Sequence, residues 1–181
     1  MMRKCIKYSV HAIVILVVLL IWMMARAQDL STYAVIKYAL VMIFGYIALL
    51  FDIFQRRIPN GLVLGMLAMW VLMTLPILFL STTAGIESLI DSAFGFAIGG
   101  GVFVVVYLIS KKGVGGGDVK FMAAAGLYLG LSNTIPAILY GTILAALVGL
   151  TLILTRKITK KDSIPLAPFL FLGITIAAFT M

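Results

Sequence analysis

Two aspartates lie at the edges of apolar segments, in positions where carboxylates can do acid–base chemistry. Asp118 directly follows the glycine run at residues 115–117 and opens an apolar segment, and Asp52 closes an earlier one. A carboxylate at the end of a membrane span usually faces the interior of a helical bundle or a wet cavity, because pointing it into lipid is expensive. Two carboxylates in close contact cannot both ionise, so they hold one proton between them. We therefore expect Asp52 and Asp118 to meet and to share a proton.

A proton-sharing pair of aspartates is suited to the hydrolysis of a peptide bond. The ionised carboxylate takes a proton from water, and the protonated carboxyl polarises the carbonyl that the water attacks. Glycines at residues 113 and 115–117 would let an extended peptide approach the backbone, or let a carboxylate move into place. The sequence thus predicts that Asp52 and Asp118 act as catalytic acid and base near the membrane surface.

The same acidic residues also have structural interpretations. An aspartate that precedes an apolar helix is a favoured N-cap, which is the structural alternative for Asp118. Asp52 lies four residues before Arg56, the spacing of an ion pair on one helical face. Asp162 is next to Lys161, and we expect it to pair with a lysine or to cap the last segment. For Asp52 and Asp118 the structural and the chemical interpretations both stay open.

The composition places these residues in a membrane protein. Of the 181 residues, 64% are hydrophobic, and the mean hydropathy is +1.21. Apolar runs of about 17 to 25 residues recur, and each could span a bilayer. We therefore predict one all-α, polytopic bundle of transmembrane helices with no sizeable soluble domain. The formal net charge of +8 then reflects basic cytoplasmic loops rather than a nucleic-acid partner.

The apolar runs and the basic residues together predict the topology. An N-terminus inside the cell leaves only Arg26 and Lys37 of the fourteen basic residues at the outer side, which is a strong positive-inside bias. Seven spans with the C-terminus outside follow from this bias. We place Glu87 and Asp91 in or beside short outer loops. The predicted spans cover approximately residues 8–24, 33–51, 61–80, 88–109, 118–135, 136–154 and 164–181.

The first of these segments has two interpretations. Its basic start, its apolar run and the sequence Ala25-Arg26-Ala27 are typical of a secretory signal with a cleavage site. The length of the run and the spans that follow favour a retained helix. We accordingly divide the chain into this leading segment, residues 1–27, and a membrane-embedded domain, residues 28–181. In either case residue 28 lies outside the cell.

Other residue types exclude several kinds of site. The single cysteine, Cys5, and the single histidine, His11, can form neither an internal disulfide nor a Cys/His metal cluster. Small residues recur at a spacing of four, which predicts close helix packing in lipid. These packing positions are Gly95 and Gly99, Gly126 and Gly130, and Gly141, Ala145 and Gly149.

Three motifs occur in order along the chain. Asp52 is followed by Arg57, Ile58, Pro59 and Asn60; Gly115, Gly117 and Asp118 are followed by Val119 and Lys120; and residues 164–169 read Ile-Pro-Leu-Ala-Pro-Phe. Together these motifs span residues 52–169. They resemble the D-x(n)-I-P-N, G-x-G-D-x-K and I-P-x-x-P-F segments of the type IV prepilin peptidase family, which are the bacterial relatives of the preflagellin peptidases.

The resemblance implies an activity and a set of site residues. Enzymes of this family remove the short basic leader of pilin-like precursors at the cytoplasmic face, after a glycine and just before the apolar stem. By this resemblance Asp52 and Asp118 are the catalytic pair of an intramembrane aspartyl endopeptidase in the inner membrane, without metal or cofactor. Its partners are the pilin-like precursor and the lipid bilayer. The supporting motif residues are Gly115, Gly117, Lys120, Arg57, Pro59 and Asn60.

One departure from the family pattern concerns the second activity of the long form, methylation. The long form of the family carries a cytoplasmic loop with paired Cys-x-x-Cys motifs and also methylates the new N-terminus. This sequence contains only Cys5 and resembles the short form of the tight-adherence pilus systems. We therefore expect peptidase activity without methyltransferase activity.

Other functions fit the residues less well. Presenilin-like proteases also contain G-x-G-D, but Asp52 follows Phe51 rather than the tyrosine of their Y-D pair. A rhomboid-type protease needs a G-x-S-G element, which does not occur here. A non-enzymatic scaffold or a small transporter component is the alternative of a different class. A transporter would place ionisable residues near the bilayer midplane, and a scaffold would tolerate the loss of either aspartate.

Overall fold

The computed structural model describes Trp22 and residues 31–110, 114–156 and 164–180. Within these ranges the chain is helical and contains no strand, so the predicted all-α class is confirmed for them. Asp162, Lys111, Lys112 and the basic N-terminal residues lie outside the described ranges. The helices are α1 (Thr32–Gln55), α2 (Asn60–Leu80), α3 (Thr82–Ile109), α4 (Gly116–Leu154) and α5 (Ala167–Phe179).

The helices are built for an apolar environment. Each of α1 to α4 is long and apolar enough to cross a membrane, whereas α5 is apolar but has only 13 residues. Large apolar side chains remain on the surface, among them Phe79 and Leu80, which are 83% and 86% exposed. A continuous apolar surface of this kind suits contact with lipid better than contact with water.

Helix α4 is interrupted at Gly130. This residue has φ 68° and ψ −177°, outside the helical region, and a positive φ is readily adopted only by glycine. The predicted boundary between the fifth and sixth segments was Pro136, which instead lies inside the second helical part. We call residues 116–129 α4N and residues 131–154 α4C.

The chain folds back at Gly130. A Cβ atom added at Gly99 of α3 would contact Met122 O and would lie 3.4 Å from Thr134 Cγ2. In an uninterrupted helix the twelve residues from 122 to 134 would span about 18 Å. Met122 and Thr134 nevertheless both lie next to Gly99 of α3. The two parts of the helix, α4N and α4C, must therefore run back along each other.

Close backbone contacts hold these helices together. A Cβ at Gly95 would contact Gly126 O, and a Cβ at Gly126 would contact Gly95 O. On the other side of the hairpin, a Cβ at Gly173 of α5 would contact Ala137 O. The predicted packing role of Gly95 and Gly126 is confirmed. Only glycine allows two helices to approach this closely in lipid.

Helix α3 begins earlier than predicted. A single residue, Ser81, separates α2 from α3, and its N–H donates to Ile77 O at 2.8 Å. The expectation that Glu87 and Asp91 lie in or beside loops was wrong, because both are within α3. The apolar pattern concealed this start because the first turns of α3 are polar.

Candidate active site

The first two sequence motifs meet at one cavity. This cavity has a volume of about 190 Å³ and lies where the end of α1 and the α1–α2 turn face the start of α4. Both predicted aspartates line it, so the structure brings together residues that are far apart in the sequence. The lining residues are Asp52, Arg56, Arg57, Ile58, Gly115, Gly116, Gly117 and Asp118.

Asp52 is held at the cavity by the start of α5. Its side chain is 6% exposed, and its Oδ2 accepts a hydrogen bond of 2.9 Å from the backbone N–H of Ala167, the first residue of α5. The first N–H groups of a helix have no partner inside the helix and favour a negative charge. Asp52 therefore supplies an acceptor to a helix far away in the sequence, and the described residues show no ion pair between its carboxylate and Arg56.

Asp118 lies in the first turn of α4 and is not its N-cap. The N-cap is Gly115, so Asp118 is the third helical residue. Its carboxylate receives a backbone hydrogen bond from Gly115, the backward contact that an acidic residue at this position makes in a capping box. The predicted N-cap was thus wrong in position, although the side chain does satisfy a backbone group at the helix start.

One oxygen of Asp118 has no partner. The residue is 8% exposed, and its Oδ1 is buried without a hydrogen bond among the described residues. Buried carboxylate oxygens are normally hydrogen-bonded, and an exception in a native structure calls for an explanation. Asp118 also interacts electrostatically with Asp52. The cavity is thus lined by two buried aspartates, and Asp118 has one carboxylate oxygen without a hydrogen bond among the described residues.

Glycine is required at two points of the second motif. A Cβ at Gly115 would lie 2.9 Å from Asp118 Oδ2, so any side chain there would displace the carboxylate. A Cβ at Gly117 would lie 3.2 Å from Ile58 Cβ, because the isoleucine of the first motif packs over this glycine. By contrast, a Cβ at Gly116 would meet nothing within 4 Å. The two motifs are therefore complementary in shape.

Lys120 joins the same two motifs at a second point. Its Nζ donates a hydrogen bond of 3.1 Å to Oδ1 of Asn60, the first residue of α2. Pro59, the N-cap of α2, has an extended backbone with φ −69° and ψ 141°. Lys120 is not among the residues that line the cavity with Asp118. Its position fits a role in holding α2 against α4N.

Comparison with known proteins assigns the family. The sequence model of the Type IV leader peptidase family matches residues 38–150, which is more than half of the chain. The chain belongs to this family. No solved structure matches it.

Curated relatives of this chain carry related names. The Prepilin leader peptidase/N-methyltransferase of Bacillus subtilis is 33% identical over 89 residues, which cover 49% of this chain and 34% of the relative. The protein of the same name from Aeromonas hydrophila is 32% identical over 114 residues, covering 58% and 39%. Leader peptidase HopD of Escherichia coli is 32% identical over 100 residues, covering 51% and 64%. The chain therefore matches only about a third of the length of its bifunctional relatives.

The third motif of the chain has a role that the sequence did not reveal. Residues 164–169 run into the start of α5, where Pro168 occupies one of the first helical positions. This segment places the N–H of Ala167 against Asp52. A proline in the first turn is a recognised signal of a helix start. That signal predicts unsatisfied N–H groups near Ala167, but not which acceptor they find.

A second acidic site lies at the opposite end of α4N. Asp91 of α3 accepts a hydrogen bond of 2.9 Å through Oδ1 from the backbone N–H of Leu131, the first residue after the break at Gly130. A Cβ at Gly130 would contact Asp91 Oδ2. Asp91 thus acts as a cap for α4C, a role that the sequence analysis missed.

Proposed function

We propose that this chain is an intramembrane aspartyl endopeptidase that removes the leader from pilin-like precursors at the cytoplasmic membrane face. The observation that carries the proposal is the cavity shared by Asp52 and Asp118, with one Asp118 oxygen unpartnered. Family membership supports the same activity. Its relatives are named as prepilin leader peptidases, which supports a pilin-like precursor as the substrate.

The two aspartates receive different roles in this proposal. Each carboxylate accepts one backbone N–H, Asp52 from Ala167 and Asp118 from Gly115. Among the described residues, Asp118 differs in having a buried oxygen with no hydrogen bond, and a buried oxygen without a donor is the better place for a proton. We assign Asp52 as the base that takes a proton from the attacking water. Asp118 carries the shared proton on its unpartnered Oδ1, from which it donates to the carbonyl oxygen of the scissile bond.

With these roles, the two aspartates account for every proton transfer in the hydrolysis. Water adds its oxygen to the carbonyl carbon, its proton passes to Asp52, and the proton of Asp118 passes to the former carbonyl oxygen. When the tetrahedral intermediate collapses, that oxygen returns its proton to Asp118 and the C–N bond breaks. Asp52 delivers its proton to the leaving amine. The products are a leader with a new carboxyl group and a stem with a free N-terminus.

The cytoplasmic location and the seven spans are part of the proposal. Arg56 and Arg57 line the cavity, and basic residues concentrate on the cytoplasmic side of membrane proteins. Six apolar helical segments come from α1, α2, α3, α4N, α4C and α5, and the leading segment near residues 8–24 supplies the seventh. This arrangement is N-in and C-out in the inner membrane. Reporter fusions after residues 57 and 130 would test it, with the first expected inside and the second outside.

The proposal assigns hydrolysis to this chain and does not include methylation. The basis is the sequence pattern, in which Cys5 is the only cysteine. Co-expression with a pilin-like precursor should yield a processed stem whose N-terminus is unmethylated by mass spectrometry. A methylated N-terminus that depends on this chain alone would contradict this part of the proposal.

The test of the catalytic pair compares the wild type with Asp52→Asn and Asp118→Asn. Each variant is co-expressed with a pilin-like precursor, and processing is read as a shift on a gel. Asparagine keeps the size and polarity of aspartate but cannot hold the shared proton. We expect both variants to insert into the membrane at normal levels and to leave the precursor uncut.

A matched control changes an acid outside the cavity in the same way. Glu87→Gln alters an exposed residue of α3 that does not line the cavity, and we expect it to cut at the wild-type rate. If Asp52→Asn or Asp118→Asn also cuts at that rate, the pair is wrong. If the wild type cuts nothing while all variants insert, the scaffold alternative replaces the enzyme.

A further inference from the structure

A second cavity begins beside Asp118 and runs into the apolar part of the molecule. It has a volume of about 490 Å³ and lies between α2, α3 and α4N. Among the described residues that line it, Lys120 alone is charged. We call this cavity the stem groove. It is lined by Val63, Leu67, Phe96, Ala97, Gly100, Gly101, Val104, Val119, Lys120, Ala123 and Ala124.

The stem groove is continuous with the candidate active site along the chain. Val119, one of its lining residues, directly follows Asp118, and consecutive Cα atoms are about 3.8 Å apart. From that point the groove extends along α3 over residues 96–104, a helical rise of about 12 Å. A peptide that leaves the aspartate cavity toward the apolar region therefore meets this groove within one or two residues.

Small residues give the groove its depth. Gly100 and Gly101 of α3 and Ala123 and Ala124 of α4N present little or no side chain to it. A Cβ at Gly101 would meet nothing within 4 Å, so the space in front of this residue is open. In lipid, helices associate through close packing against such small residues, because the apolar effect gives little preference for protein over lipid. An apolar helix is the partner that this surface fits.

We propose that the stem groove binds the first turns of the apolar stem of the precursor. This inference rests on the proposed function, because the scissile bond of such a substrate joins a polar leader to an apolar stem. With the bond held between Asp52 and Asp118, the stem has to enter the apolar region close to Asp118. Lys120 is the one charged residue among the described residues that line the groove, so the groove suits the apolar stem better than the basic leader.

One other surface could bind the stem, and one segment of the chain could itself occupy the groove. A hollow of about 310 Å³ lies beside Asp52 and is lined by five residues of α1 alone, among them Leu50. Trp22 is the one described residue of the leading segment, and it does not lie at the groove. It packs edge-on against Tyr38, and its Nε1 donates to Ala178 O at 2.8 Å. Neither α1 nor α5 lines the stem groove. Unlike the hollow on α1, the groove has walls from three helices among the described residues.

The test uses a substitution that fills the groove and compares the cleavage of two substrates. Gly101→Trp places a large side chain into the open space, and Val105→Trp adds the same side chain at a residue of α3 that is 54% exposed and lies outside the groove. One substrate is a full precursor in proteoliposomes, and the other is a soluble peptide that contains the cleavage junction without the stem. We expect Gly101→Trp to lower cleavage of the full precursor at least about tenfold, through a higher KM, because the stem is no longer positioned.

The control and the second substrate make the result specific. Val105→Trp should cut both substrates like the wild type, and Gly101→Trp should lose activity on the stem-bearing substrate alone. If Gly101→Trp cuts the full precursor at the wild-type rate, the groove holds lipid rather than the stem and the inference is wrong. If it loses both substrates equally, the substitution has disturbed the aspartate cavity, which also contradicts the inference.

A cross-linking arm separates failure of the groove from failure of the proposed function. A photoreactive residue is placed at position 101, 105 or 50 in the Asp118→Asn background, so that binding is read without cleavage. We expect the precursor stem to cross-link from position 101 and not from position 105. A cross-link from position 50 alone would assign the stem to the hollow on α1. If the wild type cuts neither substrate, the proposed function fails, and the cross-link at position 101 still decides whether the groove binds the stem.

Discussion

The two ends of α4N each carry an aspartate at a helix start, and the two carboxylates are used differently. At the end near Gly130, Asp91 accepts a hydrogen bond from the N–H of Leu131, and a Cβ at Gly130 would contact its Oδ2. At the other end Asp118 reaches back to Gly115 with one oxygen, and its Oδ1 is buried with no hydrogen bond from the described part of the chain. Of the two, Asp118 is the one that shares a cavity with a second described carboxylate, that of Asp52.

This difference separates a structural acid from a candidate catalytic one. Sequence position reveals only the second of these sites, because Asp118 directly follows a glycine run, whereas Asp91 lies within α3 and is forty residues from Leu131. The two aspartates differ in how many of their carboxylate oxygens accept a hydrogen bond. A cap stabilises most when its acceptors are occupied, whereas an acid that must bind water or a carbonyl needs an oxygen that is free in the resting state.

The largest expected effect is the loss of cleavage in Asp118→Asn. Removal of a general acid should lower the cleavage rate at least about hundredfold. The midpoint of thermal unfolding in detergent should not fall, because Oδ1 has no hydrogen bond to lose. Asp91→Asn is the matched variant at the other end, and it should cut normally because its amide oxygen can still accept from Leu131. A fall in the unfolding midpoint that accounts for the lost activity of Asp118→Asn would make Asp118 structural.

A smaller effect is expected from Gly115→Ala. Its new Cβ would lie 2.9 Å from Asp118 Oδ2, so the carboxylate has to move. A displacement of this size should lower cleavage about tenfold or more while the protein still folds. Gly116→Ala is the adjacent control, since its Cβ would meet nothing within 4 Å. Equal activity in the two variants would show that the position of the carboxylate is not critical.

The sequence predicted the pair of aspartates and the packing of several glycines because both have local signatures. An acid at the edge of an apolar run and small residues four apart are visible without any contact information. The start and end of α2, predicted at about residues 61 and 80, also agree with Asn60–Leu80. The ends of α3 and α4C, each close to basic residues, were predicted at residues 109 and 154 and agree with Ile109 and Leu154.

The remaining features depend on contacts between distant parts of the chain. The bond from Ala167 to Asp52 requires α5 to dock against the end of α1, and no local pattern encodes that choice of acceptor. Pro136 has a stronger local tendency to end a helix than Gly130, yet the break occurs at Gly130. At that residue the carboxylate of Asp91 is available to cap the next helix. Tertiary context therefore decided between two candidate break points.

At the end near Asp91, Gly130→Ala should lower stability rather than catalysis. Alanine at φ 68° is strained, and its Cβ would contact Asp91 Oδ2. We expect a loss of about 1–3 kcal/mol in the free energy of unfolding, measured as a lower unfolding midpoint in detergent. The protein that remains folded should cut at a near-normal rate. Gly101→Ala is the control inside α3: its Cβ would meet nothing within 4 Å, and alanine is the better helix former, so the midpoint should not fall.

The smallest effect concerns the bond between Lys120 and Asn60. Lys120→Met and Asn60→Ala each remove an exposed hydrogen bond of 3.1 Å, which is worth about 0.5–1.5 kcal/mol, or about a two- to tenfold decrease in cleavage. If Lys120 acts only by holding α2 against α4N, the double variant should be no worse than either single variant. Additive losses would mean that Lys120 contacts the substrate directly. That result would move Lys120 from a positioning residue to a binding residue, and it would extend the site from the aspartate cavity into the mouth of the stem groove.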